Sequence, residues 1–84
     1  MEFEKVRNIL AAKLHIPANE IFPETAFAED LGMDSIEMLG LIIEIEKEFE
    51  IVLDIESIGH LKTVADAVDY IRQRIDRNRG MNLR

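Results

Sequence analysis

Cysteine is absent from this chain of 84 residues, and the absence removes several kinds of chemistry at once. Without a thiol there is no disulfide framework, no thiolate metal site and no cysteine nucleophile. The chain also has no apolar run near the roughly 20 residues that a membrane-spanning helix needs, so we expect no membrane insertion. Residues 1–5 lack the basic start and the apolar stretch of a signal peptide. We therefore expect a protein of the reducing cytoplasm.

Histidine is almost as scarce, with His15 and His60 as its two representatives. Two imidazoles are too few for a zinc site without help from carboxylates, and no window has the regular oxygen-ligand spacing of a calcium loop. A hydrolase would have to use Asp34, Ser35 and His60. A catalytic histidine must lie between the acid and the nucleophile, whereas here the acid and the serine are adjacent. We therefore expect neither a metal site nor a hydrolase built on these three residues.

Basic residues are outnumbered and unevenly placed. The chain has 17 acidic and 10 basic residues, a formal net charge of −7. Residues 20–56 hold twelve acidic residues and one basic residue, Lys47, which gives −11; residues 72–84 hold five arginines and Asp76, which gives +4. A negative surface repels phosphates, so we expect no binding to nucleic acid. The acidic stretch is either a solvated surface that aids solubility or a docking face for basic partners.

The spacing of apolar residues predicts an all-α fold. Helix one is predicted over residues 2–14, because apolar residues recur there at helical spacing and Pro17 disfavours helix at the residue before it. Helix two is predicted over residues 35–50, with Asp34 or Ser35 as its N-cap.

The second half of the chain adds a short and a long helix. The short helix is predicted around residues 55–59, and Thr63 and Asp66 have the spacing of a capping box that opens a last helix ending near Arg77. Residues 51–53 are apolar, but no second strand is available to pair with them, so we interpret them as a linker packed into the core. The expected architecture is a small four-helix bundle of three longer helices and one short one.

A long connection, residues 16–34, joins helices one and two. Pro17, Pro23 and Gly32 interrupt regular structure there. We expect this loop to be ordered and to fold over the core, because it carries scattered apolar residues: Ile16, Ile21, Phe22, Phe27 and Leu31. Residues 1–78 are assigned to one domain, and residues 79–84 to a disordered basic tail.

Helix two carries more apolar surface than one core face requires. At about 100° per residue, its core face consists of Met38, Leu41, Ile42, Ile45 and Phe49. Ile36, Leu39 and Ile43 form a second strip beside that face. The strip is either covered by the long loop or exposed as an apolar contact patch rimmed by carboxylates.

The most distinctive segment is Asp-Leu-Gly-Met-Asp-Ser-Ile at residues 30–36. It combines a glycine turn with a serine at the first turn of a helix. The Ser35 hydroxyl is either an N-cap or an exposed attachment point. The helix amides would stabilise a phosphate ester on Ser35, whereas Asp34 and Glu37 would oppose it, so the local pattern leaves both interpretations open.

The same segment resembles the modification motif of acyl carrier proteins, in which an Asp-Ser-aliphatic triplet follows a Leu-Gly turn. The similarity extends over residues 27–71 without a gap. It includes Phe-Ala-Glu-Asp-Leu-Gly at residues 27–32, the apolar and acidic run at residues 42–50, and the helix-opening and helical segments at residues 63–64 and 67–71. The resemblance implies an acyl carrier protein, which is a carrier rather than a catalyst.

By this resemblance, Ser35 receives a 4'-phosphopantetheine group from coenzyme A through a phosphopantetheinyl transferase. The thiol at the end of that arm would carry acyl groups as thioesters, so a cysteine-free chain can still serve thiol chemistry. Asp34 would position the serine for the transferase, and Gly32 and Leu31 would support it from the preceding turn.

The resemblance also implies which residues meet partners and which meet the acyl chain. The positions that match partner-docking residues are acidic or apolar: Glu37, Ile36, Ile43, Glu46 and Leu61. The candidates for a pocket that holds the acyl chain between helices are apolar: Ile42, Ile45, Ile58 and Ala67. The implied partners are the transferase and acyl-processing enzymes with basic docking patches, and a monomer is expected.

The chain departs from the common fatty-acid-synthesis pattern at four positions. Gly40 and Lys47 stand where an acid is usual, and we expect both on the partner-facing side of helix two. Asp54 stands where a proline is common, and Ile58 is bulkier than the usual alanine. A carrier for fatty acid or for specialised lipid or polyketide biosynthesis is therefore expected. The alternative that needs no cofactor is an acidic helical adaptor domain.

Overall fold

The computed structural model describes the backbone of residues 2–82, and the side chains of that range except for Ile55 and residues 77–82. Within this range the fold is all-α, as expected. Its elements in chain order are α1 (Glu2–Leu14), the short 3-10 helix η1 (Ala18–Glu20), α2 (Ser35–Phe49), the 3-10 helix η2 (Ile55–His60) and α3 (Val64–Asn82).

Two expectations about these elements need adjustment. The short fourth helix of the expected bundle is the 3-10 helix η2 rather than an α-helix. The last helix continues to Asn82, past the predicted end near Arg77. The boundary at residue 78 and the disorder of residues 79–84 stay predictions, and Leu83 and Arg84 lie outside the described residues.

The core brings together one apolar face from each α-helix. Its fully buried members, at 0–1% exposure, include Val6, Leu10, Leu41, Ile45, Val64 and Ile71. Burying one such side chain stabilises the fold by about 1.5–3 kcal/mol relative to leaving it exposed. The core face predicted for helix two is therefore confirmed, with Phe49 half-buried at its edge.

The segment between α1 and α2 is held against the start of α3. Ala26 and Thr63 form an isolated antiparallel bridge, and the Phe27 amide donates to the Lys62 carbonyl at 2.9 Å. Phe27 is 2% exposed and Ile21 is equally buried, whereas Phe22 is 57% exposed and does not cover the core. These contacts fix the direction from which the chain enters α2.

Both α1 and α2 end on a residue that is not glycine but has left-handed backbone geometry. His15 follows α1 with a φ of 58°, and Glu50 follows α2 with a φ of 56°. Such residues satisfy the last carbonyls of a helix, and here the Ile51 amide donates to the Glu46 carbonyl at 3.3 Å. The linker then packs Ile51 and Leu53 into the core, as predicted.

Candidate functional site

The start of α2 is fixed by a reciprocal pair of hydrogen bonds between Asp34 and Glu37. The Glu37 amide donates to Asp34 Oδ1 at 2.8 Å, and the Asp34 amide donates to Glu37 Oε1 at 3.1 Å. This arrangement is a capping box, in which two amides at the helix start are satisfied by side chains. Asp34 is therefore the N-cap, which decides a choice that the sequence left open between Asp34 and Ser35.

Ser35 is left as the first residue of α2, and it is exposed to solvent. The turn before it depends on Gly32, whose φ of +65° is a conformation that glycine adopts without a steric penalty. Met33, at 5% exposure, anchors the chain between this turn and the cap. The combination of a buried anchor and a capped helix end holds the serine outward in a defined position.

The charge around Ser35 has two opposing parts. The positive end of the α2 dipole favours a negative group at the serine. The carboxylates of Asp34 and Glu37 are exposed and lie at the same helix end, where they already accept first-turn amides. The serine therefore sits at a helix N-terminus with an acidic rim.

Three apolar side chains follow Ser35 along one exposed face of α2, and we call them the α2 strip: Ile36, Leu39 and Ile43. Their exposed fractions are 76%, 39% and 51%. The loop between α1 and α2 leaves them open, so the interpretation that this loop covers them is wrong. Exposed aliphatic side chains grouped in this way are typical of protein contact surfaces.

The two glutamates predicted to face partners have different surroundings. Glu37 is exposed and belongs to the capping box. Glu46 is half-buried, and its Oε2 accepts the Leu53 amide at 2.8 Å. The Glu46 carboxylate therefore ties the linker back onto α2, a contact that the sequence did not reveal.

The expected position of Gly40 on the partner-facing side is wrong. A Cβ atom at this position would lie 2.9 Å from Lys13 Nζ and 3.2 Å from Lys13 Cε. Gly40 therefore faces α1, and the lysine side chain lies against the α2 backbone where no side chain intervenes. Lys47, by contrast, is exposed.

A cleft of about 280 Å³ opens next to the start of α2. Its walls come from the loop before α2, from α2 itself and from the end of η2 with the residues that follow it. The larger apolar lining residues are Phe27, Met33, Met38, Ile58 and Leu61. Of the residues predicted to line an acyl pocket, Ile58 borders this cleft. Ile42, Ile45 and Ala67 do not line it and are buried in the core, at 3%, 0% and 2% exposure.

The described residues contain no group of three or more histidine, aspartate or glutamate side chains placed to hold a metal ion. His15 and His60 are both exposed. No helix among the described residues is long and apolar enough to cross a membrane.

Comparison with known proteins identifies the family. The family model described as "Phosphopantetheine attachment site" matches residues 4–71. The acyl carrier protein of Phytoplasma mali is 41% identical over 76 residues, which cover 90% of each chain. The chain belongs to the acyl carrier protein family. Proteins of this family are carriers rather than enzymes, and their domain bears covalently attached 4'-phosphopantetheine.

Further acyl carrier proteins support the assignment. That of Clostridium acetobutylicum is 43% identical over 72 residues, covering 86% of this chain and 94% of the other. The solved structure of the acyl carrier protein from Enterococcus faecalis superposes with a TM-score of 0.74 at 30% identity, covering 87% of this chain and 92% of that one. Acyl carrier proteins interact with phosphopantetheinyl transferases and with acyl-processing enzymes, so membership favours a carrier over the adaptor alternative.

The start of α2 fits the group that acyl carrier proteins bear. A hydroxyl that becomes a phosphate ester must be reachable from solvent, and Ser35 is exposed. The new negative charge would lie near a helix N-terminus, where backbone amides and the dipole favour phosphate. The cap does not compete for the serine, because Asp34 supplies it.

Proposed function

We propose that Ser35 is the residue that receives 4'-phosphopantetheine, and that this carrier delivers acyl thioesters to enzymes of fatty acid or specialised lipid or polyketide biosynthesis. One observation supports the assignment above all: Ser35 is exposed at the first residue of α2, while Asp34 performs the capping role. The serine hydroxyl is therefore not needed to start the helix.

In the proposed attachment, Ser35 Oγ forms a bond to the phosphorus that bears the pantetheine portion of coenzyme A. The bond from this phosphorus to the nucleotide portion breaks, and the serine proton passes to a base of the transferase. When bound, the arm supplies a thiol that holds acyl groups as thioesters. Asp34 fixes the helix start, and Gly32 and half-buried Leu31 shape the turn that presents the serine.

We propose that partners dock on the exposed face of α2 and around the cleft. Ile36 and Ile43 supply exposed apolar surface, and Glu37 supplies an exposed carboxylate next to the serine. Glu46 and Leu61 complete the proposed docking set from the far end of α2 and from the residue after η2. A basic enzyme surface would meet the acidic rim first, because charge complementarity steers association over long distances.

The acyl chain would occupy the space between the helices, with Ile58 at its entrance and Ile42, Ile45 and Ala67 deeper in the core. We further propose a monomeric carrier that acts in the cytoplasm, with residues 1–78 as the carrier domain and η2 as the fourth, short helix of the bundle.

Mass spectrometry tests the attachment site. Purified protein is incubated with coenzyme A and a broad-specificity phosphopantetheinyl transferase, and we expect the intact mass to rise by one phosphopantetheine group. Ser35→Ala should abolish the increase. The matched control is Ser57→Ala, which removes the other serine of the chain and should leave modification intact. Unmodified wild-type protein, alongside a known carrier that is modified, would contradict the proposal.

Association kinetics test the docking face. Glu37→Gln removes the charge but keeps the acceptor that the Asp34 amide requires, since glutamine is compatible with a capping box. We expect slower association with a basic acyl-processing enzyme, and a smaller difference at high salt. The matched control is Glu48→Gln, which makes the same charge change where the glutamate pairs with Lys5 at 3.6 Å. Equal rates for the two variants would contradict docking at Glu37.

A further inference from the structure

A cluster on the side of the molecule formed by η2 and α3 holds the chain where it enters η2. The Asp54 amide donates to the Tyr70 hydroxyl oxygen at 3.0 Å, and Arg74 Nη2 donates to the same oxygen at 3.2 Å. Arg74 also forms an ion pair with the Asp54 carboxylate, and its guanidinium lies 5.4 Å from the centre of the Tyr70 ring. We call these three residues the Tyr70 latch.

The Tyr70 hydroxyl acts mainly as an acceptor in this cluster. Partial burial acts to raise the pKa of Tyr70, but the nearby Ser57 side chain, the hydrogen bonds from the Asp54 amide and from Arg74, and the Arg74 charge bring it below its usual value. The phenol oxygen thus joins α3 to Asp54, the linker residue that directly precedes η2. Replacing tyrosine by phenylalanine would remove these bonds and keep the ring.

The other end of η2 is held in a different way. The Lys62 carbonyl accepts the Phe27 amide at 2.9 Å, and Thr63 forms both the bridge to Ala26 and a capping box with Asp66. These are mostly backbone contacts at partly buried positions. The latch, by comparison, uses side chains: the Asp54 side chain is 62% exposed and that of Arg74 is 19% exposed. An ion pair with one partner in solvent contributes little to stability, and the two hydrogen bonds of the latch, at 3.0 and 3.2 Å, are longer than the 2.9 Å backbone bond at the other end. The latch is therefore the weaker of the two attachments.

Between these attachments, η2 forms one wall of the cleft next to the start of α2. Ile58 and Leu61 are half-buried and face the cleft. On the opposite wall, Met38 precedes Ile42 by one helical turn, and Ile42 is buried at 3% exposure. Movement of η2 away from α2 would therefore extend the cleft along α2 toward the core.

We propose that the Tyr70 latch controls a conformational opening in which the N-terminal end of η2 moves away while its C-terminal end stays attached, and that this opening deepens the cleft beside Ser35. Elements that open are drawn from the weakly held parts of a fold. The inference concerns the unmodified chain and does not depend on whether Ser35 carries an arm.

Native-state amide hydrogen exchange on the full unmodified chain tests the latch. Tyr70→Phe should raise the exchange rates of residues 54–61 about fivefold, as expected for the loss of the one typical hydrogen bond that ties the Asp54 amide to α3. Exchange in the core of α1 and α2, at Leu10 and Ile45, should stay within twofold of the wild-type rates. Arg74→Gln should produce a smaller increase confined to the same segment.

Arg72→Gln is the matched control, because it removes an arginine of α3 that pairs with Glu2 at 3.1 Å and does not belong to the latch. It should leave the exchange of residues 54–61 unchanged. The proposal is overturned if Tyr70→Phe leaves that segment at wild-type rates, or if it accelerates α1 and α2 to the same extent, which would show global destabilisation instead of local opening.

Discussion

The first turns of α2 and α3 are built by the same local device and have opposite surroundings. At α2, Asp34 and Glu37 form a capping box with distances of 2.8 and 3.1 Å. At α3, Thr63 and Asp66 form one with distances of 3.2 and 3.1 Å. The residue that follows the cap is exposed Ser35 in one case and Val64, at 0% exposure, in the other.

Tertiary contacts account for the difference. The Val64 amide donates to the Thr25 carbonyl at 2.9 Å, and the preceding residue is bridged to Ala26, so the start of α3 is enclosed by the loop. At the start of α2, Met33 before the cap is buried at 5% exposure, but Ile36 after it is 76% exposed. A capping box thus determines where a helix begins. The packing around it determines whether the first helical residue is buried in the core or exposed to solvent and to other molecules.

Placing serine at position 64 and valine at position 35, in separate variants, should give the largest difference in the free energy of unfolding. Val64→Ser removes buried aliphatic surface and buries a hydroxyl, so we expect the free energy of unfolding to fall by about 2–3 kcal/mol. Ser35→Val places a valine on an exposed helix start and should change the free energy by no more than about 0.5 kcal/mol. Urea denaturation followed by circular dichroism measures both. Similar losses for the two variants would show that the start of α2 is packed as tightly as that of α3.

Removing the caps should give an intermediate effect of similar size at both helices. Asp34→Ala and Thr63→Ala each delete one N-cap, at a cost of about 1 kcal/mol in the free energy of unfolding. The rate of phosphopantetheine transfer distinguishes the two variants, because only Asp34→Ala should slow it. If Thr63→Ala slows transfer to the same degree, general destabilisation and not the position of the cap would explain the effect.

Local patterns in the sequence predicted much of this comparison. The Thr63–Asp66 box and the helical bounds near residues 14 and 35 followed from spacing and from known cap preferences. The Asp34–Glu37 box has the same three-residue spacing, so that signal was present. The resemblance assigns Glu37 to docking, and the structure shows that the same carboxylate caps the helix and is still exposed.

Contacts between distant residues could not be predicted in this way. The Glu46–Leu53 hydrogen bond and the contacts of Asp54 with Tyr70 and Arg74 join residues separated by seven to twenty positions, and no local pattern records such pairings. The predicted orientation of Gly40 is also wrong, because the side of α2 that faces α1 depends on how the two helices pack. The exposure of the α2 strip was left open for the same reason: helical spacing identifies a face but not what covers it.

A substitution in the interior of α2 should change the free energy of unfolding by a smaller amount, and its sign distinguishes helix propensity from packing. Gly40→Ala should raise the free energy of unfolding by about 0.5–1 kcal/mol, because glycine weakens a helix interior relative to alanine. The added methyl group would meet only the flexible end of Lys13, which can move aside. Thermal and urea denaturation measure the change. A loss of stability would show that the approach of Lys13 to the α2 backbone is itself a stabilising contact.

Lowering the pH should give the smallest change in the free energy of unfolding. It tests how much the Thr63–Asp66 capping box depends on the charge of Asp66. The pKa of Asp66 lies below its usual value, because the backbone amides of Thr63 and Lys62 donate to its carboxylate. A carboxyl group with a lowered folded-state pKa stabilises the fold fully above its unfolded pKa of about 3.9, and this contribution is lost as the pH falls through the lowered value.

The wild-type protein should therefore lose more stability than Asp66→Asn when the pH falls from about 5 to below 3.9. The free energy of unfolding, measured by urea denaturation across this range, gives the difference between the two proteins, so acid effects from other carboxylates cancel to first order. Asparagine can still accept one amide hydrogen bond, so the N-terminus of α3 stays capped and the two proteins differ mainly in charge. Parallel pH profiles would show that the Thr63–Asp66 box stabilises α3 through hydrogen-bond geometry alone, with no contribution from the ionised carboxylate.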